Sequence, residues 1–320
     1  MSARGHLLIS LDFELHWGVR DHTPVDGYRE NLLGVREAVP RTLDLFRSRG
    51  ICATWATVGM LMAEDRDELE ACLPRVRPRY ADPRLDPYAD LGGLGRNEVD
   101  DPFHFAPSLV RHIAETPGQE IGTHTFSHFY PLEPGATLDA FVADLQAARG
   151  IMARKGLPEP RSIVFPRNQY GPDHVRVLSG LGIRCYRGAA SGRWNRPSST
   201  GDDGPVRRAA RLLDTYLPLS RDPTRPVAAD GAVNLPASRF LRPHSPALRA
   251  LEPARLARIE RGMTAAARGG RDYHLWWHPH NFGVHLEQNL GFLSRVLDQF
   301  GALAERYGMA SVRMADRATA

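Results

Sequence analysis

Lysine is almost absent: Lys155 is the single lysine among 41 basic residues. A demand for positive charge alone would not exclude lysine, because the two side chains differ in geometry and hydration rather than in sign. GC-rich codon usage accounts for the bias, so the net charge of +4 carries no inference of nucleic-acid binding. A nucleic-acid binder gathers its basic residues into a stripe with interleaved aromatics. The nearest approach here, Arg207, Arg208 and Arg211, reads as a solvated helix face. Cysteine is scarce as well. Cys52, Cys72 and Cys185 are odd in number and far apart, which excludes a zinc knuckle and suggests a reducing compartment. No apolar run approaches the ~20 residues that span a bilayer. The N-terminus shows no basic stretch followed by an apolar segment and a cleavage site. The expectation is a cytoplasmic protein without membrane insertion.

What is present is enough chain for one large α/β domain. At 320 residues with 42% hydrophobic side chains, the protein can bury a sizeable core. Strand-like runs at 6–11, 51–58, 119–124, 162–165, 183–186, 232–235, 273–278 and 310–314 alternate with helical spacing. The clearest helix begins at Thr137, a plausible N-cap, with Phe141, Leu145, Ala148 and Met152 on one face. Another runs from Glu30 to Arg49, with Pro40 interrupting it or starting a second segment. Alternation repeated about seven times predicts a parallel, barrel-like α/β fold in a single domain over 1–320. Two stretches break the rhythm, roughly 74–105 and 191–228. The first, rich in proline and tyrosine, has the length of a lid.

Two histidines four apart, His124 and His128, fall about one helical turn apart, so both imidazoles can face one cation. The same spacing also arises on ordinary helix faces. The first strand ends in Asp12-Phe13-Glu14, where a period of two sends both carboxylates to the same side. In barrels the chemistry gathers at the carboxyl ends of the strands. Four ends are chemically equipped here: Asp12/Glu14, His124/His128, Arg167/Asn168 and His278/His280. Each has a bland reading, as a turn cap, a structural ion pair or a loop histidine. Their coincidence at four strand ends points to a site.

Four segments, Asp12-Phe13-Glu14, His124-Thr125-Phe126-Ser127-His128, Pro166-Arg167-Asn168-Gln169-Tyr170 and Leu275-Trp276-Trp277-His278, occur in this order. The set resembles the polysaccharide deacetylase family, the NodB-homology carbohydrate esterases, in its Asp-x-Glu form. The resemblance implies a distorted (β/α) barrel of about seven parallel strands and a divalent metal, commonly Zn²⁺, held by Glu14, His124 and His128. It implies Asp12 as general base, His278 as the acid for the departing amine, and Arg167 as the residue that orients Asp12. A backbone N–H near Tyr170 would help to hold the developing oxyanion. Asp272 and Asp214 are candidates for the acidic partner of His278.

The implied activity is hydrolysis of an N-acetyl group from an amino sugar, nucleotide-sugar or sugar-containing intermediate. The substrate wall is expected from Trp17, Phe103, Asn168, Tyr170 and His280. The partners expected are this small substrate and, at most, further copies of the chain. The runner-up is a related C–N hydrolase, a deformylase or ring-opening amidase. A saccharide-binding protein without chemistry would lack one of the five site residues, and a structural zinc site would offer four ligands instead of three.

Overall fold

A computed structural model describes residues 4–89, 91–202, 204–217, 219, 220, 222 and 224–318. The ends of the expected 1–320 domain, and positions 90, 203, 218, 221 and 223 within the two expected insertions, lie outside the described residues. The strands are β1 (His6–Phe13), β2 (Ala53–Thr57), β3 (Gln119–Thr123), β4 (Ser162–Ile163) and β5 (Cys185–Gly188). They continue as β6 (Val227–Ala229), β7 (Ala232–Pro236), β8 (Arg239–Phe240), β9 (Asp272–Trp277) and β10 (Ala310–Val312). The principal helices are α1 (Val25–Arg49), α2 (Arg66–Ala71), α3 (Pro107–Glu115) and α4 (Leu138–Arg154). After them come α5 (Pro172–Arg176), α6 (Pro205–Asp214), α7 (Glu252–Gly269), α8 (Leu286–Tyr307) and α9 (Met314–Arg317).

The sheet order is β6-β7-β5-β4-β3-β2-β1-β9-β8, with β10 on β1, and every pairing except β6–β7 is parallel. The sheet curls into a distorted barrel, as the strand–helix alternation predicts. Its last gap is crossed by one extended segment. β7 pairs with β5 and, after two intervening residues, β8 pairs with β9, so residues 232–240 strap the two sides together. Parallel strands covered on both faces need apolar residues throughout. β1 largely obeys: seven of its eight residues are buried, and all but Ser10 and Asp12 of these are apolar.

α1 runs unbroken through Pro40 and stops at Gly50, whose φ of 62° is left-handed and favours glycine. The expected break at Pro40 is therefore not made. Phe46 on α1 sits between Trp55 and Trp277, with ring centroids 6.5 and 6.3 Å away, and truncating so buried a ring costs about 3–5 kcal/mol. Thr137 caps α4 as expected, accepting from the Ala140 N–H at 3.2 Å. No helix among the described residues is long and apolar enough to cross a membrane.

The first insertion is pinned down against the body of the protein. Arg79 and Ala81 donate backbone N–H groups to Gly135 and Pro134, and Tyr88 donates to Asp144. It lines neither of the two cavities described below. The second insertion does line one.

Candidate active site

The carboxyl ends of β1, β3, β4 and β9 converge on a pocket of about 180 Å³. Asp12, Glu14, His124, His128 and His278 all line it, with Arg167, Asn168, Gly18 and Trp276. Glu14 leaves β1 and lies next to a tight turn. A Cβ on Gly18 would fall 2.0 Å from the Glu14 carboxyl carbon, so a larger residue there would push the Glu14 carboxylate out of place. The two histidines do not share a helix. They sit on an irregular loop after β3, in which Thr125 and His128 take left-handed φ values of 64° and 58°. Asp144 on α4 holds that loop, accepting from the Phe126 N–H at 2.6 Å and from the Ser127 hydroxyl. Arg167 and Asn168 are left-handed too, at 53° and 52°. Such backbone persists only where surrounding contacts over-determine it.

Glu14 Oε2 lies 3.2 Å from His124 Nε2 and 3.0 Å from His128 Nε2, and all three groups are buried. His124 Nδ1 faces the Val164 carbonyl at 2.8 Å and must donate to it. In the neutral ring the Nε2 lone pair then points at a carboxylate, acceptor against acceptor. A divalent cation among the three atoms resolves this, and one carboxylate with two imidazoles is a zinc-type donor set with positions left open. The residues fit the implied metal. Burial pushes Glu14 up, but His278, His124 and His128 outweigh it and hold the carboxyl well below its ordinary value. Burial drives His128 down to about 4, against the pull of Glu14.

Asp12 is held by a residue that the motifs do not name. Arg187, on β5, donates from both Nη atoms to the two Asp12 oxygens at 2.6 and 2.8 Å, and both residues are buried. Burial raises Asp12, yet Arg187, His124 and His278 together lower it, so it stays ionised. The expectation that Arg167 orients Asp12 is corrected. Arg167 instead grips Asp21 at 2.7 and 2.6 Å from the rim of the pocket. Sequence did carry a signal for Arg187. The apolar run predicts a strand ending at Tyr186, but it continues to Gly188, and an arginine at the carboxyl end of a buried parallel strand is out of place unless it faces the site.

His278 brings Nε2 within 3.7 Å of Asp12 and 3.6 Å of Glu14. Its other nitrogen meets the Asn281 amide at 3.2 Å. Tyr28 donates to Asn281 Oδ1 at 3.3 Å, so Asn281 links Tyr28 to the His278 ring and helps to fix its orientation. Neither carboxylate candidate serves His278. Asp272 pairs with His6 and Arg317, and Asp214 with Arg239.

The expected substrate wall is also revised. Asn168 lines the pocket and accepts from Arg187 at 3.3 Å. Trp17 is buried, with Nε1 donating to the His104 carbonyl at 2.9 Å. Phe103 packs under Arg29 and Tyr170 against Phe165 and Tyr186, and neither lines either of the two cavities described. His280 lies behind the site, stacked on His278 at 5.0 Å. These are aromatic side chains that the packing uses, and composition alone does not separate them from a binding wall.

The family model described as polysaccharide deacetylase matches residues 26–186. The chain belongs to the polysaccharide deacetylase family. Solved structures share its fold. A protein from Mycobacterium smegmatis assigned to the polysaccharide deacetylases superimposes with a TM-score of 0.61 at 14% identity, covering 100% of this chain and 93% of the other. A GH57-type branching enzyme from Pyrococcus horikoshii gives 0.56 at 14% identity, covering 98% and 69%. The PuuE allantoinase gives 0.53 at 12% identity, covering 98% and 88%. No curated protein sequence matches the chain.

Proposed function

We propose that this family member is a metal-dependent hydrolase that removes an N-acetyl group from an amino sugar or a sugar-containing intermediate. The convergence of Glu14, His124 and His128 within one buried pocket, with Asp12 and His278 on its edge, is the observation that carries this reading. Glu14, His124 and His128 hold a divalent cation, which we assign as Zn²⁺. When bound, it acidifies a water and polarises the acyl carbonyl.

The chain's own residues supply the proton traffic. Asp12, kept ionised and clamped by Arg187, accepts the proton of the attacking water. Because both Arg187 bonds fix the carboxylate plane, the base is oriented before substrate arrives. His278 faces the same space from β9; as imidazolium, with the Asn281 amide turned to offer Oδ1 to its Nδ1–H, it would donate from Nε2 to the departing nitrogen, a poor leaving group as the free amide anion. Asn168 presents its amide at the pocket mouth, where it can bond the sugar or the acyl oxygen. Buried walls exclude bulk water from these transfers and strengthen each electrostatic contact.

The test is acetate release from a panel of N-acetylated sugars, sugar phosphates and nucleotide-sugars, with and without chelator and added Zn²⁺. Chelator-sensitive acetate from a panel member supports the assignment. Stoichiometric metal with no acetate from any of them would move the assignment to another acyl group or to ring-opening of a cyclic amide.

A further inference from the structure

A second cavity of about 610 Å³ opens beside the first and shares Arg167, Asn168, Trp276 and His278 with it. A neutral sugar needs apolar faces and scattered hydrogen bonds. This wall is different: seven arginines line it against two carboxylates, Asp21 and Asp214. Both carboxylates are already engaged, Asp21 by Arg167 at 2.6 Å and Asp214 by Arg239 at 3.1 Å. The arginines on α6 are not simply a solvated face, as their spacing suggested. Arg207 and Arg211 fold back onto the Trp194 carbonyl and so shape the insertion into a wall.

Arg242 is the informative one. It is half-buried, and its one side-chain hydrogen bond to a described residue runs from Nε to the Thr215 hydroxyl at 3.1 Å. No described carboxylate lies within ion-pair distance of it. Burial lowers its pKa, Tyr216 offsets part of that, and Arg211 lowers it further. A guanidinium withdrawn from water without a counter-charge is costly, and an anion delivered from outside removes the cost. Arg208 stands exposed on the same wall, without an ion-pair partner among the described residues. Trp194 adds a ring face and an indole N–H that is buried and unpartnered.

We propose that the acylamino sugar processed at the smaller pocket carries a phosphate or diphosphate, which occupies the larger cavity against Arg242 and Arg208. This rests on the deacylase reading and narrows its substrate to phosphorylated sugars or nucleotide-sugars. Phosphate fits better than a sugar carboxylate. One bidentate arginine satisfies a carboxylate, whereas several arginines around one volume match a group with more charge and more acceptor oxygens. The volume lies within the range of pockets that enclose ligands of this size.

Titration calorimetry on the full chain tests it, with inorganic pyrophosphate, UDP, glucuronate and N-acetylglucosamine as probes. Pyrophosphate or UDP should bind about tenfold or more tightly than the other two, and more weakly as salt rises. UDP tighter than pyrophosphate assigns a nucleotide-sugar, while equal affinities assign a sugar phosphate. Arg242→Gln should weaken binding about tenfold, with Arg242→Lys retaining part of it, and the exposed Arg208→Gln should weaken it several-fold without risk to the fold. His124→Ala, which removes a metal ligand, should leave the binding intact, separating this site from phosphate attached to a cation. No phosphate binding, glucuronate binding as well as pyrophosphate, unchanged affinity in both arginine variants, or loss of binding in His124→Ala would each overturn the proposal. Binding is read without turnover, so acetate released only from neutral sugars would overturn the assignment of a phosphorylated substrate and leave the deacylase reading standing.

Discussion

Arg187 and Asp12 form a buried, two-point ion pair at 2.6 and 2.8 Å, reaching from β5 to β1 across the barrel mouth. Arg187 also stacks on Trp276, with its guanidinium carbon 4.0 Å from the ring centre, and donates to Ser10 and Asn168. The pair therefore fixes the carboxylate that the proposed chemistry uses as its base.

Replacing Arg187 should be felt both in stability and in rate. Arg187→Ala strands a buried carboxylate, which costs about 3–5 kcal/mol. Arg187→Lys keeps the charge but loses the fork, and turnover should fall about 10²-fold while the protein remains folded. Arg167→Ala should cost less, since its partner is Asp21. Denaturant melts and kcat for the three variants decide the matter. A larger loss in Arg167→Ala than in Arg187→Lys would return the orienting role to Arg167.

Metal content and turnover should separate. His124→Ala should release the bound cation, whereas Asp12→Asn should keep it and lose nearly all activity. Elemental analysis beside acetate release checks both. An unchanged metal content in His124→Ala removes that histidine from the ligand set, and retained turnover in Asp12→Asn removes Asp12 from the mechanism.

Gly18→Ala inserts a methyl 2.0 Å from the Glu14 carboxyl carbon. Glu14 must swing away from His124 and His128, so metal affinity should drop about 10–100-fold, the scale seen when a ligand loses its support. Competition against a chromogenic chelator measures it. The midpoint of denaturation for the metal-free protein should move much less than the affinity does.

His274 predicts an acid limb to the stability curve. Burial and the nearby Arg187 lower its pKa to about 3, while its ring bonds the Leu235 carbonyl and the Ser10 hydroxyl. Its reference value is 6.5, so the unfolded chain takes up a proton there that the folded chain refuses. Stability contributed by neutral His274 is thus present above pH 6.5 and is lost as pH falls from that value towards 3. Urea midpoints of wild type and His274→Gln between pH 7 and 4.5 should converge as the pH falls. Parallel curves would show that His274 does not contribute to the slope.

Much of this site was legible in the chain, because its chemistry is confined to strand ends. A strand that stops at Asp12, a loop with His124 and His128, and a strand that stops before His278 each leave a polar signal against an apolar run. Arg187 does not emerge from the sequence pattern because the apolar run ends at Tyr186, two residues before the strand does, and those two residues decide which side chain belongs to the site. Trp17 and Phe103 were misplaced for a different reason. An aromatic ring in a loop looks the same in sequence whether it faces solvent, ligand or core, and only the packing of His104 and Arg29 around these two settles the matter. The pairing of His124 with His128 was anticipated on the wrong scaffold. The loop brings the rings within 4.9 Å through left-handed turns, which spacing alone does not reveal.

The strap formed by residues 232–240 divides the site along a line that the motifs do not show. Glu14, His124 and His128 hang from β1 and β3, which β2 joins directly. Arg187 and His278 hang from β5 and β9, and it is the strap that reaches from one of these strands to the other. Loosening that one segment would open the barrel between the strands of Arg187 and His278, leaving Trp276 and Asp12 to hold Arg187, while the strands under Glu14, His124 and His128 stayed paired. Under the proposed mechanism, metal content alone would for this reason be a poor measure of activity.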